Sequence, residues 1–449
     1  MIPLTLTDFV SRQVPRYTSY PTAPHFRDDV DGGVYASWLE GQASSPAPVS
    51  LYLHVPFCRS ICHYCGCTTR ATRRDEPLLD YAVRLRKELA LVSDRIGRRQ
   101  ISHIHWGGGT PSLLLGDAFA DIVADIRRRW DVAPAAEHAI ELDPRFVDSS
   151  AVARLSAAGV NRASLGVQDF DQAVQTAIGR LQSIRTVASA VSLLRRGGVS
   201  NLNFDLIYGL PRQTQASIRN TVREAVDLAP DRIALFGYAH VPDARPNQRL
   251  IDPSTLPDAA LRLALAQTAR EVLDEAGYVA VGIDHFARPG DAMAGAASSR
   301  SLRRNFQGYT TDGAETLIGV GASSISRLPQ GYAQNASDVG GWARAIDEGR
   351  LPTARGRALG ADDRLRADVI EQIMCFFEVD LDAVARRHGV KASVFALDLE
   401  ALEPLRRSDF LRYYGDRLVI VRDGPALARV VASAFDSYLG VGTRHSMAA

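Results

Sequence analysis

The sequence predicts an α/β protein in which parallel strands alternate with amphipathic helices in a full or partial (β/α) barrel over residues 49–355. An N-terminal arm (1–48) precedes the barrel and a small, mainly helical domain (356–449) follows it. Two observations predict this. From Ser50 onward, six short apolar runs alternate with helical patterns, the order expected of a parallel sheet with helices outside. The runs also end in groups that a plain core does not need: a cysteine loop, Gly107-Gly108-Gly109-Thr110-Pro111, Glu141 with Asp143, Gln168 with Asp169, Asp205, and Ala239-His240. Chemistry in a barrel gathers at the C-terminal strand ends. A ring of polar groups around one mouth suits a large polar ligand better than the single crevice of an open sheet.

The arm is rich in Pro and Tyr without clear periodicity and reads as extended, with one helix around residues 35–39. Residues 41–50, GQASSPAPVS, read as a short linker. The first strand, 51–55, leads into the cysteine loop and then into a helix carrying Leu85, Leu89, Val92 and Ile96 at helical spacing. Strand 101–106 and its glycine run precede a helix with Phe119, Ile122, Ile126 and Trp130 on one face. Strand 139–142 is followed by a helix over 152–158 that Gly159 stops. Strand 163–167 precedes a helix with Ile184, Val187, Val191 and Leu194, closed by Gly197-Gly198. Strand 202–207 precedes a helix with Ile218, Val222 and Val226, and strand 233–238 precedes a long helix over 258–276.

Residues 277–309 lack regular pattern but are rich in polar and aromatic side chains, which suits the lining of a substrate cavity. Residues 316–326 read as a buried strand or turn. Beyond residue 360, helical patterns over 369–376, 381–384 and 427–438 with a β pattern over 418–421 suggest a winged-helix-like module. Residues 360–449 carry 12 Lys+Arg against 14 Asp+Glu, a net of −2, so a lid or packing domain fits better than a DNA-binding one.

The whole chain has 52 Lys+Arg against 51 Asp+Glu and a net charge of +1, so no global field gathers nucleic acid or anionic lipid. No apolar run reaches membrane-span length, and the first residues lack the charged start and apolar core of a signal peptide. A cytoplasmic protein with neither nucleic acid nor membrane as partner is expected.

Four of the five cysteines fall within residues 58–67. Cys58, Cys62 and Cys65 stand in CxxxCxxC and Cys67 follows; clustered soft sulfur selects zinc, copper(I) or an iron–sulfur cluster. Three ligands are informative, because a 4Fe-4S cube held by three cysteines keeps one iron open for the amino and carboxylate groups of a second molecule. The plainer alternative is a zinc knot completed by Cys67 or His63. Zinc spacings usually come as two separated pairs, and the remaining cysteine, Cys375, lies in an apolar helix as a core thiol. The glycine run lets backbone groups approach a ligand closely, or makes a tight turn before Pro111.

CxxxCxxC directly after a strand, with Tyr64 before the third cysteine, resembles the radical S-adenosylmethionine superfamily. The further blocks RYTSYPTA (16–23), HVPFCRSICHYCGC (54–67), HWGGGTPS (105–112), LGVQDF (165–170), NFDLIYGLP (203–211), DHFARP (284–289) and NFQGYTT (305–311) make the chain similar to the oxygen-independent coproporphyrinogen III oxidase family. The resemblance implies a partial TIM-like barrel and one 4Fe-4S cluster on Cys58, Cys62 and Cys65, with Cys67 not a ligand. It implies two S-adenosyl-L-methionine molecules. Tyr52, Gly108, Glu141 and Ile325 would contact the cluster-bound one, and Tyr64, Gly109, Thr110, Gln168, Arg180, Asp205 and Ala239 the second.

The implied reaction is oxidative decarboxylation of two propionates of coproporphyrinogen III to vinyl groups. Acid–base side chains do not break an unactivated C–H bond, so the radical comes from the cofactor and no side chain is assigned as catalytic. The implied partners are coproporphyrinogen III, a reductant such as flavodoxin or ferredoxin, and an electron acceptor; a monomer is expected. Arg16 and Arg288 are candidate carboxylate anchors, with structural ion pairing the alternative for both. Heme-binding chaperones of the same superfamily are the competing class; the RYTSYPTA arm and Cys67 favour the oxidase.

Overall fold

The computed structural model describes residues 5–440. One twelve-stranded sheet organises it. In chain order the strands are β1 (Val49–Val55), β2 (Gln100–Gly108), β3 (Asp131–Leu142), β4 (Arg162–Gln168), β5 (Asn201–Tyr208), β6 (Arg232–Gly237), β7 (Val279–Val281), β8 (His285–Ala287), β9 (Thr316–Val320), β10 (Ile325–Leu328), β11 (Gly331–Asn335) and β12 (Thr353–Ala358). Their spatial order is β12-β11-β10-β9-β1-β2-β3-β4-β5-β6-β8-β7, with two free edges, so the barrel is partial. The stretch from β9 to β6 is parallel throughout. The flanking strands run antiparallel.

Helices α1 (Glu76–Ile96), α2 (Asp117–Arg129), α3 (Ser149–Ala157), α4 (Ile184–Arg196), α5 (Gln215–Asp227) and α6 (Ala259–Glu275) separate the strands. Asp148, Ser183, Thr214 and Asp258 cap the last four by accepting a backbone N–H of the first turn, which fixes where each helix leaves its strand end. Their apolar stripes meet the strands in one core that includes Trp106, Trp130, Phe119, Phe204 and Trp342.

One expectation gains a partner and two change. The apolar run at 316–320 is a seventh parallel strand, β9, paired with β1; an isolated five-residue run carries no signal for the partner it adopts. Residues 277–309 hold β7 and β8, which close the β6 edge, together with helix Ala292–Ser298 and a hairpin of Arg303–Asn305 with Gly308–Thr310. The arm is no loose extension. Phe9, Val10, Val14, Tyr17 and Tyr20 are buried in a second core with α7 (Ala361–Phe376) and α8 (Gly424–Ala434). That core also covers the antiparallel sheet of Glu378–Asp380, Arg417–Ile420 and Leu411–Tyr414. Tyr17 Oη donates to Asp436 Oδ2 at 3.0 Å, and Arg429 Nε donates to the Pro15 carbonyl at 2.9 Å.

Candidate active site

The cysteine loop leaves the C-terminal end of β1 and is held from three sides. Gly109 N–H donates to the Val55 carbonyl at 2.8 Å and Thr110 N–H to that of Phe57 at 2.7 Å, which seats the glycine run against the loop. A Cβ on Gly109 would lie 2.5 Å from the Phe57 oxygen, and one on Gly108 2.6 Å from the His54 ring, so the approach requires glycine. Asn247 Nδ2 lies within hydrogen-bond reach of the Cys62, His63 and Cys65 carbonyls (3.1, 3.1 and 2.9 Å). Gln248 Nε2 donates to the carbonyls of Tyr64 and Ala239, tying the loop to the end of β6.

The thiols sit among donors. Thr69 and Thr110 hydroxyls stand 3.4 Å from Cys58 Sγ, and Arg180 Nη1 stands 3.5 Å from Cys62 Sγ. Hydrogen bonding between Cys65 and Cys67 draws the Cys65 thiol down and pushes that of Cys67 up. Among the described residues no three His, Cys, Asp or Glu side chains enclose a single ion. The three ligands of a cube each meet a different iron and spread further apart than ligands around one ion. A soft, three-thiolate donor set surrounded by hydroxyl and guanidinium donors fits a 4Fe-4S cluster.

Tyr52, Gly108, Glu141 and Ile325 come together beside the loop. Glu141 Oε2 accepts from Gly108 N–H at 3.1 Å and its Oε1 lies 3.2 Å from His105 Nε2. Burial opposes the charge on Glu141, but these donors hold its carboxyl below the usual value. Tyr52 pairs with Gly319 across β1 and β9, and Gly319 abuts the Ile325 backbone, so the three form one row. The turn between β9 and β10 is fixed from α1: Tyr81 Oη donates to the His54 carbonyl at 2.7 Å and accepts from Ala322 N–H at 2.9 Å. Buried Glu88 takes Gly321 N–H, Asn335 Nδ2 and the Trp342 indole N–H.

The second set spreads around the mouth. Gly109 and Thr110 lie at the end of β2, on the cysteine loop. Gln168, in the left-handed region at φ 69°, closes β4 beside Arg180, which donates to the Gly166 carbonyl at 2.9 Å. Arg180 also faces Asp143 at 3.3 Å, and its buried Nε has no hydrogen-bond partner, a donor available to a ligand. Asp205 accepts from Ser164 Oγ and Asn203 Nδ2; burial and the charge of Glu141 push its carboxyl up to about 6. Asp169, beside Gln168, turns into the scaffold and accepts from Gln213, Thr221 and Asp171.

A cavity of about 1440 Å³ adjoins this ring, lined by Cys67, Tyr208, Phe236 and Tyr238, by Gln13, Arg16 and Thr18 of the arm, and by Arg262, Arg270, Asp284, Arg304, Phe306, Gln307 and Arg429. It exceeds the ~300–1,000 Å³ of common small-ligand pockets. Five guanidiniums share the lining with three carboxylates, Asp243, Asp284 and Asp423. Burial holds Arg262 and Arg270 below the usual arginine value and pushes Arg429 down to about 9.

Residues 52–225 match the radical SAM superfamily. The chain is 51% identical to the oxygen-independent coproporphyrinogen III oxidase of Bradyrhizobium diazoefficiens over 97% of both chains. It is 44% identical to that of Paracoccus denitrificans over 97% of this chain and 96% of the relative. Among solved structures, coproporphyrinogen III oxidase (HemN) from Escherichia coli, a radical SAM enzyme, superposes with a TM-score of 0.90 at 35% identity, covering 95% of this chain and 100% of that one. The chain belongs to the oxygen-independent coproporphyrinogen III oxidase family.

Of the two candidate anchors, this oxidase-family chain places only Arg16 at the cavity, where its Nη2 donates to the Gly237 carbonyl at 3.2 Å. Arg288 is exposed at the opposite end of the barrel: its N–H bonds the Asp231 carbonyl, next to the start of β6. An arginine next to a histidine- and aspartate-bearing block gave no indication of which strand end it occupies. Sequence reasoning missed Asn247 and Gln248, and also Arg262, Arg270, Arg304 and Arg429. For Arg262 and Arg270 a signal existed: two arginines eight positions apart on a helix of mostly Ala and Leu that has no acid between 259 and 270.

Proposed function

We propose that this protein converts two propionate side chains of coproporphyrinogen III to vinyl groups without oxygen, giving protoporphyrinogen IX in heme biosynthesis. The observation that carries this reading is the three-cysteine loop opening, past Cys67, onto an arginine-lined cavity large enough for a tetrapyrrole. Cys58, Cys62 and Cys65 would hold a 4Fe-4S cluster, which with S-adenosylmethionine would supply the radical chemistry needed to remove a hydrogen from the propionate β-carbon. Each propionate then loses CO2 and one electron.

The chain's own residues bind and orient. Arg16, Arg262, Arg270, Arg304 and Arg429 would hold the substrate carboxylates, for which guanidinium geometry is suited. Tyr52, Gly108, Glu141 and Ile325 would hold the cluster-bound S-adenosylmethionine. Tyr64, Gly109, Thr110, Gln168, Arg180, Asp205 and Ala239 would hold a second molecule; the unpartnered Arg180 Nε and the carboxyl of Asp205 support this. The arm and α8 cover the cavity and keep bulk water from the reacting carbon.

The protein acts in the cytoplasm as a monomer, draws electrons from a reductant such as flavodoxin or ferredoxin, and passes the product electron to a separate acceptor. Among the described residues no helix is long and apolar enough to cross a membrane. The test is an anaerobic assay of reconstituted protein with coproporphyrinogen III, S-adenosylmethionine, reductant and acceptor. Protoporphyrin after oxidation, together with free 5′-deoxyadenosine, is expected. Stoichiometric heme binding without decarboxylation would instead assign the chain to the chaperone class.

A further inference from the structure

Directly after the cysteine loop the chain turns outward and lies against it. Phe57 and Cys58 pair in parallel with Arg70 and Ala71, and Thr72 N–H donates to the Cys58 carbonyl at 2.9 Å. The backbone of segment 70–72 is thus hydrogen-bonded to a cluster ligand while Arg70, Arg73 and Arg74 face solvent. Between Leu51 and Arg74 the sequence holds four arginines and no acid. Residues 59–76 carry those four against Asp75 and Glu76, a net of +2 in a chain whose total is +1.

Arg59 reaches across to Asp75 at 2.5 Å, at the start of α1. Leu79 and Val83 follow Asp75 at intervals of four, on the same face of the helix, and are 56% and 53% exposed. An apolar pair beside a basic rim is the composition of an interface. None of these residues lines the large cavity. The substrate side and this side of the cysteine loop are separate surfaces.

We propose that Arg70, Arg73 and Arg74 with Leu79 and Val83 form the docking face for a small, acidic protein carrying a low-potential one-electron centre, with Arg59 tied to Asp75 as part of the scaffold beneath it. Its reduced centre gives up one electron and the cluster gains it, with no bond made or broken in this chain. The proposal rests on the function given above. Opposite charge selects and steers the donor; the ladder joins this face to Cys58 through one backbone hydrogen bond.

The test measures binding of purified flavodoxin to the full-length protein by surface plasmon resonance, and, in parallel, S-adenosylmethionine cleavage driven by reduced flavodoxin or by dithionite. The double variant R73E/R74E is expected to bind flavodoxin about tenfold or more weakly, and the wild-type affinity to fall with added salt. Flavodoxin-driven cleavage should fall by a similar factor and dithionite-driven cleavage should not change. Leu79→Ser should weaken binding at all salt concentrations. Unchanged binding and unchanged flavodoxin-driven rates in R73E/R74E overturn the docking face. No cleavage by wild type with dithionite overturns the function instead, and the binding series alone then decides the surface.

Discussion

At the N-terminal end of the parallel strands Arg162 and Arg232 are buried among acids. Arg162 Nε meets Glu137 Oε2 at 2.9 Å, Arg232 Nε meets Asp291 Oδ1 at 2.8 Å, and His103 Nδ1 meets Asp312 Oδ1 at 3.2 Å. At the C-terminal end the cavity arginines meet carbonyls and ring faces. Arg16 donates to Gly237, Arg270 to Ile283 and Arg304 to Tyr17, with Arg304 4.4 Å from the Tyr309 ring centre and Arg262 5.8 Å from that of Tyr208. A carboxylate partner cancels the charge and makes the side chain part of the scaffold. A carbonyl partner positions the guanidinium and leaves its charge to a ligand. The same residue type is therefore mechanical at one end of the barrel and functional at the other.

The largest test of that division is at the mouth. Cys62→Ala should cost activity about 10³-fold or more, because the cofactor carries the bond-breaking step. Iron content and visible absorption should fall with it, while the metal-free protein unfolds at the midpoint of metal-free wild type. At the other end Arg232→Ala leaves Asp291 buried without its closest cation and should cost ~3–5 kcal/mol of stability in urea titrations. A loss under ~1 kcal/mol would mean that the buried pair is not holding the strand ends in place.

Arg270→Ala sharpens the contrast. It should leave the urea midpoint unchanged and raise KM for the tetrapyrrole ~10- to 100-fold, the ~1.5–3 kcal/mol of a charge-assisted hydrogen bond. An unchanged KM with lowered stability would place it with the scaffold arginines. The smallest effect is in pH. Burial lowers His103, but Asp312 outweighs it and raises the imidazole above its usual value; burial raises Glu137, but Arg162 and Arg232 outweigh it and hold it low. The His103 contribution is complete below its unfolded value near 6.5 and is lost as pH rises through the raised folded value. The Glu137 contribution is complete above about 4.5 and is lost as pH falls through the lowered one. His103→Gln should flatten the alkaline side of the melting-temperature profile and spare the acid side.

The parts of the site legible in sequence are those whose residues are neighbours in the chain. Cys58, Cys62 and Cys65 announce themselves by spacing, and the glycine run by the contact it permits. Glu141 and Gln168 are legible as strand ends once the strand–helix alternation is read, whereas Asp205, expected at a strand end, lies inside β5 with three strand residues after it. The arginines of the cavity come from the arm, α6, the hairpin at 303–310 and α8, and no spacing relates them. The pairing of β9 with β1 and the burial of the arm residues were not legible for the same reason: five apolar residues, or Phe9 and Tyr17 in a proline-rich stretch, do not specify a partner hundreds of positions away. Loop amides such as Asn247 look like any polar residue until the carbonyls they hold are in view.

The junction between the arm and α8 has a consequence in time. Tyr17 and Asp436 are 419 positions apart, so the ribosome makes one long before the other. The strands, the cysteine loop and the arginines of α6 can assemble as they emerge, domain by domain, while the wall that Arg16 and Thr18 contribute waits for its support. The cavity stays open on that side until α8 is made. Iron and sulfide can be delivered to a nascent chain whose thiols are already in place and whose roof is not.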